Sequence, residues 1–387
     1  MPRILLISSN SSARGGGERY LVYLTQGLKQ VGGEVIALLS EVDYMDGWAA
    51  SLSEAGAEVQ RRPLVGLRSR PLRFLQAIAD RAQQQAVTTA CREIDPDGIL
   101  VNQQYDEDGL DFIAGALAAK TAPVAGVMHM PMTATKNSRP LGRWRGKLLQ
   151  RWYCRHPYHL ALVSEGSRRE FEQYYRYPRP THILHHGCAF PSETELDTAH
   201  LPSEPHAEVP TVAFLGQFVP QKNLSLLVEA WLWLRQQGVS ARLLLVGDGP
   251  EREAIARVLQ AAPVSAADWH IAGWQADPKA FYSTMDLYVS TSDFEGLPLS
   301  LIEVAGRGIP AIATNFNGAA DVAARAPWVT VTAERTASAV GQAMQAAIAE
   351  LDERKQQARD GLDAFRYYFS LERMARDTLS VMGLAAA

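Results

Sequence analysis

Fourteen residues, Ser290-Thr-Ser-Asp-Phe-Glu-Gly-Leu-Pro-Leu-Ser-Leu-Ile-Glu303, set two carboxylates eight positions apart around the start of a helix. The apolar run Asp286-Leu-Tyr-Val-Ser290 has strand character, and Asp293 to Gly296 forms the turn after it. Pro298 suits the first helical position, where its missing N–H costs nothing. Glu295 therefore falls in the loop, and Glu303 about a turn and a half into the helix. Between them stand Gly296, Leu297, Leu299 and Ser300. The first amides of a helix have no partner within it and form the positive end of its dipole, so Leu299 and Ser300 are expected to meet an anion such as phosphate.

These residues resemble the Glu-x7-Glu signature of retaining glycosyltransferases with two Rossmann-like domains, the GT-B fold, and most closely glycosyltransferase family 4. The resemblance extends over nearly the whole chain. It implies that Glu295 contacts hydroxyls of a donor sugar and that Glu303 hydrogen-bonds the ribose of the nucleotide carrying it. Gly216-Gln217-Phe-Val-Pro-Gln-Lys222-Asn223 matches the family's Gly-Arg-x-x-x-x-Lys element, which assigns Lys222 to the donor diphosphate. A diphosphate leaving group gathers negative charge as the glycosidic bond breaks, and a cation aimed at it stabilises the transition state. Gln217 stands where the family usually has Arg; its amide donates hydrogen bonds but brings no charge. Ala13-Arg-Gly15-Gly16-Gly17-Glu-Arg19 resembles the family's Gly-Gly-x-Glu-Arg loop, whose glycines bring the backbone close to a phosphate or sugar at the start of a helix, here over 20–30. Gly273 completes the donor-binding set that the resemblance implies.

His129, in Val127-Met-His-Met-Pro131, ends an expected strand at the carboxyl edge where open α/β sheets bind ligands. The resemblance places it near the acceptor or the donor sugar as a third catalytic residue beside Glu295 and Lys222. A satisfied structural histidine is the alternative. His185-His186-Gly187 occupies a place where the family has Asn-Gly, and no carboxylate or third ligand is spaced to make that pair a metal site. Gly247-Asp-Gly-Pro lacks the third glycine of a dinucleotide fingerprint, which argues against a nicotinamide cofactor.

Such residues need a scaffold, and the pattern of the chain supplies one. Short apolar runs at 3–8, 34–39, 98–101, 124–128, 160–163 and 182–184 alternate with helical patterns, as they do in a doubly wound parallel sheet. A second series, at 212–215, 243–246, 270–272, 287–290, 311–314 and 329–331, predicts another domain of the same kind. The fold class is therefore α/β, with two Rossmann-like domains. The expected division is an acceptor-side domain over 1–190, a proline-rich linker over 191–210, a donor-binding domain over 211–365, and a closing helix over 366–387 that the resemblance returns to the first domain.

At 387 residues the chain exceeds a single comfortable core, and 47% hydrophobic with 21% charged residues is ordinary for a globular protein. The net charge of −4 hides an asymmetry: residues 1–190 hold 23 Lys and Arg against 18 Asp and Glu, so the basic half is the first. Cys91, Cys154 and Cys188 are odd in number and widely spaced, which fits neither a disulfide framework nor a zinc site and suits a reducing cytosol. No run of 18 apolar residues is present to span a membrane. Residues 136–155 carry seven Lys or Arg and no acid, interleaved with Trp144, Leu148, Leu149, Trp152 and Tyr153. That mixture points to peripheral contact with an anionic membrane surface or to an anionic acceptor, with a solvated helical face as the alternative. Nucleic acid is disfavoured, since the whole chain is acidic and shows no recognition motif.

The expected activity is thus transfer of a hexose-type sugar from a nucleoside diphosphate sugar to a hydroxyl of a glycan, lipid-linked or small-molecule acceptor, with no metal and no other cofactor. The expected site is cytoplasmic, at most peripheral on the inner membrane face. Two rivals share the architecture: a nucleotide-sugar 2-epimerase, and a non-catalytic sugar-nucleotide-binding protein.

Overall fold

The computed structural model describes residues 1–8, 15–65, 73–132, 142–177, 179–191, 209–275 and 278–385. Contacts divide the chain into two units, one of Met1–Cys188 with Phe369–Ala387 and one of Ala189–Tyr368. Most of the expected linker, 192–208, lies outside the described residues.

The first unit is built on seven strands: β1 (Arg3–Ser8), β2 (Glu34–Ser40), β3 (Glu58–Arg62), β4 (Gly98–Tyr105), β5 (Val124–Met130), β6 (His159–Leu162) and β7 (His182–Ile183). They are parallel and ordered β3-β2-β1-β4-β5-β6-β7. In β1 five consecutive residues are buried, because a sheet covered by helices on both faces leaves no polar side. β3, Glu-Val-Gln-Arg-Arg, gives no apolar run and was not legible as a strand. It lies at the edge of the sheet, half-exposed, where charged side chains blunt further strand pairing.

The terminal helix Leu371–Val381 belongs to this first unit and packs along the helix Gly16–Gln30. Ser370 caps it by accepting from the Arg373 amide at 3.1 Å, and a bridge between Cys188 and Ser370 sets its start beside the end of β7's loop.

Six strands form the second sheet: β8 (Thr211–Leu215), β9 (Arg242–Val246), β10 (Trp269–Gly273), β11 (Leu287–Ser290), β12 (Ala311–Thr314) and β13 (Val329–Thr332). They are parallel, in the order β10-β9-β8-β11-β12-β13. The core beneath it gathers Phe214, Phe218, Trp231, Leu245 and Val289, all at most 1% exposed. Chain order reverses between β1 and β4 in one sheet and between β8 and β11 in the other. At such a reversal the loops leaving the two neighbouring strands part in opposite directions and open a crevice at their carboxyl ends.

Candidate active site

In the second unit both loops at the reversal carry residues singled out by their chemistry. The loop after β8 runs through Gly216 and the exposed Gln217 into a 3-10 turn, Pro220–Lys222, whose amides at Lys222 and Asn223 bond back to Val219 and Pro220. Asn223 follows in left-handed backbone, φ 47°, and caps the next helix by accepting from the Leu226 amide at 3.3 Å. The loop after β11 holds Thr291 to Pro298. Four bonds stitch the two loops: Asp293 N–H to Gln221 O at 2.9 Å, Gln221 Nε2 to Phe294 O at 2.9 Å, and the Thr291 hydroxyl to Lys222 O at 3.2 Å and Asn223 O at 2.9 Å.

Lys222 and Glu295, 73 positions apart, meet on this frame. Lys222 Nζ forms an ion pair with Glu295 Oε1, and the Ser292 hydroxyl donates to the same oxygen at 3.2 Å. Glu295 is only 8% exposed, so its charge needs this pair. Gly296, Leu297 and Leu299 are buried beside it.

The helix over Leu299–Ala305 begins one residue later than the sequence suggested: Pro298 is its cap, with extended backbone, and its carbonyl accepts from Leu301 N–H at 3.2 Å. The amides of Leu299 and Ser300 therefore precede the first bond within the helix. The Ser300 hydroxyl is held by Tyr288 Oη at 3.0 Å. Glu303, also buried, receives the Tyr282 hydroxyl at 2.9 Å.

Gly216 and Gly273 close the ends of β8 and β10 through β9's exit. Gly216 N–H donates to Val246 O at 3.0 Å, and Gly247 N–H to Gly273 O at 2.9 Å. Gly247 has φ +143°, and a Cβ there would collide with the Gly216 carbonyl oxygen.

In the first unit, Gly15 caps the helix Gly16–Gln30, so Gly16 and Gly17 form its first turn rather than a loop. The Gly15 N–H donates to Glu18 Oε2 at 3.0 Å. Ala13 and Arg14 lie outside the described residues. A Cβ on Gly17 would press on the Gln104 side chain and come within 3.6 Å of the His129 ring.

His129, in β5 and 5% exposed, sits in a hydrogen-bonded chain. Its Nε2 lies 2.6 Å from Asn102 Oδ1, its Nδ1 lies 3.0 Å from His186 Nε2, and Asn102 Nδ2 donates to Ser8 Oγ at 3.2 Å. With Asn102 so oriented, Nε2 of His129 donates, and in the neutral ring Nδ1 then accepts from His186 Nε2. Burial pushes the His129 imidazole down to about 3, in keeping with a neutral ring. Both nitrogens are thereby engaged within the unit. The chain ties the ends of β4 and β5 together, and His186, unexplained in the sequence, is the partner that builds it.

Tyr282, Ser292 and Asn102 escaped the sequence reading. Each is a common residue type: Tyr282 and Asn102 lie in no motif, and Ser292, though inside the Ser290 to Glu303 stretch, carries no signal of its own there. The described residues contain no group of three or more His, Cys, Asp or Glu able to hold a metal.

Two family profiles match the chain in tandem: Glycosyltransferase Family 4 over residues 14–189 and Glycosyl transferases group 1 over 209–350. The chain belongs to the GT-B glycosyltransferases. The Anabaena protein HepE, in a structure with UDP and glucose, superposes on this GT-B chain with a TM-score of 0.76 at 15% identity, covering 99% of this chain and 100% of HepE. Sucrose-phosphate synthase from Thermosynechococcus elongatus gives a TM-score of 0.74 at 17% identity over 98% of both chains. At these identities the likeness establishes the fold. Among curated glycosyltransferases, the lipopolysaccharide core biosynthesis enzyme LpsE of Rhizobium meliloti is 34% identical over 112 residues, 29% of this chain and 32% of LpsE. The 2-deoxystreptamine N-acetyl-D-glucosaminyltransferase of Niallia circulans is 32% identical over 114 residues, 29% of each chain. The matched stretch thus spans about a third of these relatives' length.

Proposed function

We propose that this protein is a retaining, metal-independent glycosyltransferase that moves a hexose-type sugar from a nucleoside diphosphate to an acceptor hydroxyl. The observation that carries the reading is the Lys222–Glu295 pair on stitched loops at the β8/β11 reversal. It sets a cation for a diphosphate beside a carboxylate for sugar hydroxyls. On donor binding Lys222 turns from Glu295 to the diphosphate, while Ser292 keeps a hydrogen bond on the carboxylate. The amides of Leu299 and Ser300 face the leaving group as further donors, and Glu303 takes the ribose hydroxyls.

Retention follows if the acceptor hydroxyl attacks on the face from which the diphosphate departs. The C–O bond to the diphosphate breaks as the new glycosidic bond forms, and the acceptor's proton passes to the leaving phosphate oxygen. Electrostatic stabilisation of that phosphate is the main catalytic term. The bound UDP of HepE supports a nucleotide donor, and the sugar-transferring names of the curated relatives support transfer over epimerisation. The acceptor is a glycan or lipid-linked sugar, approached with the basic helix of the first unit against an anionic membrane.

A panel of UDP, GDP and ADP sugars tests the donor by thermal shift, since a ligand at a hundred times its dissociation constant stabilises by about 2.7 kcal/mol. With the donor so found, hydrolysis without acceptor should release a sugar of unchanged anomeric configuration, and EDTA should leave the rate unaltered. An inverted product would sink the retaining mechanism. Loss of activity in EDTA with recovery in a divalent ion would sink metal independence, and a 2-epimer as product would favour the epimerase.

A further inference from the structure

Glu303 does not stand alone on its helix. The hydroxyl of Tyr282, at the end of the short helix Lys279–Tyr282, donates to Glu303 Oε2 at 2.9 Å, and both side chains are buried, at 7% and 5% exposure. Arg307 closes the arrangement from the other side. Its guanidinium lies over the Tyr282 ring, 3.9 Å from the centroid, and its Nη1 donates to the Glu303 carbonyl oxygen at 2.8 Å. The guanidinium thus ties the backbone of Glu303 to the ring whose hydroxyl holds the carboxylate of Glu303.

We propose that Tyr282, held by Arg307, is a positioning residue for the nucleotide: by occupying one oxygen of Glu303 it fixes the carboxylate in the rotamer that receives the ribose hydroxyls. The proposal rests on the reading that Glu303 binds ribose. The physical case is one of pre-organisation. A glutamate has three side-chain torsions, and ordering it on binding costs affinity unless it is ordered beforehand. A carboxylate has about four lone-pair positions, of which Tyr282 takes one, so the hydrogen bond that fixes the group does not exhaust it. Charge-assisted bonds of this kind are stronger than neutral ones, and a buried tyrosine supplies one with few rotamers of its own.

Tyr282→Phe removes only the hydroxyl and leaves the ring under Arg307, so the fold has little reason to change. The measurement is affinity for whichever of UDP, GDP or ADP stabilises the protein most, and for the 2′,3′-dideoxy form of that nucleotide. In the wild type the dideoxy form should bind at least tenfold more weakly. In Y282F the full nucleotide should lose roughly five- to tenfold while the dideoxy form loses less than twofold, so the advantage of the ribose hydroxyls shrinks. Turnover at saturating donor should be nearly unchanged and KM for donor raised. Equal weakening of both nucleotides, or of neither, would overturn the positioning role. Equal binding of both nucleotides by the wild type would instead remove ribose recognition by Glu303, and failure of all three nucleotides to bind would remove the donor reading; the proposal falls in either case.

Discussion

Lys222 and Glu295 pair at a part-buried position, the lysine the more exposed of the two, so each substitution has a separate signature. Glu295→Gln should keep the fold, since an amide still receives the Ser292 hydroxyl, but should lower turnover about a hundredfold, or roughly 2.7 kcal/mol of barrier. On the proposed reading, in which the cation faces the diphosphate before and during bond breaking, Lys222→Ala should weaken both nucleoside diphosphate binding and turnover. Steady-state kinetics beside calorimetric titration of the nucleotide separates the two. Wild-type turnover in E295Q would remove Glu295 from the reaction.

Two buried groups of the first unit give stability opposite slopes with pH. Burial first of all, aided by the charge of Glu107 and opposed by the Tyr175 hydroxyl, pushes the Asp106 carboxyl up to about 7. A carboxyl with a raised value holds its proton more tightly folded than unfolded, so its favourable contribution is lost as pH rises from about 4 through 7. His129, pushed down to about 3, does the reverse: its contribution is present above about 6.5 and lost as pH falls toward 3. Across one window the two slopes oppose. Asp106→Asn leaves the His129 slope alone, so its melting temperature relative to wild type should be higher at pH 7.5 than at pH 5. A difference independent of pH would show that Asp106 does not titrate there.

At the scale of elements, what places the donor residues is the set of turns leaving β8, β9 and β10. Gly247 allows the close passage of the β9 exit over Gly216, at the head of the loop that carries Lys222. Gly247→Ala demands both a disfavoured backbone and displacement of the Gly216 carbonyl. A loss of about 2 kcal/mol or more in thermal unfolding is expected, with nucleotide affinity falling as well because the Lys222 loop shifts. Wild-type affinity in a merely destabilised G247A would show that the loop is held from elsewhere. The basic helix Gly142–Arg155 is likewise decided by packing. Arg145 pairs with Glu107 and is largely buried, while Trp152 and Tyr153 join the core. The exposed stripe is Trp144, 49% exposed, with Lys147, Arg151 and Arg155 at helical spacing. The remainder of the segment, 136–141, lies outside the described residues.

For the molecule as a whole, the asymmetry of charge meets that stripe on the basic first unit. No described helix is long and apolar enough to cross a membrane. A cation near an anionic leaflet contributes about 1 kcal/mol. Wild-type protein should therefore cosediment with anionic but not neutral vesicles, less so at high salt, and a Lys147→Glu, Arg151→Glu, Arg155→Glu variant should lose that binding with its melting temperature intact. Arg145 is unsuited to this test, because its loss would strand Glu107 within the fold. Binding that ignores salt, or none at all, would leave the stripe as a solvated face and point to a soluble acceptor.

The two-sheet architecture, the strands that run through the cores, and the residues Lys222, Glu295 and Glu303 were all legible in the sequence. Strands buried on both faces must be apolar runs, and the three charged residues stood out through the motifs in which they resemble the family. The edge strand β3 was not legible, because an edge with one wet face and charged side chains has no apolar signature. Nor were Tyr282 on Glu303, Ser292 on Glu295, or the chain from His186 through His129 to Ser8. The sequence by itself determined which groups bear charge and at which strand ends they sit. Only the tertiary structure decided which buried donor each charge would face, because hydrogen-bond partners are chosen by distances between loops that are remote along the chain.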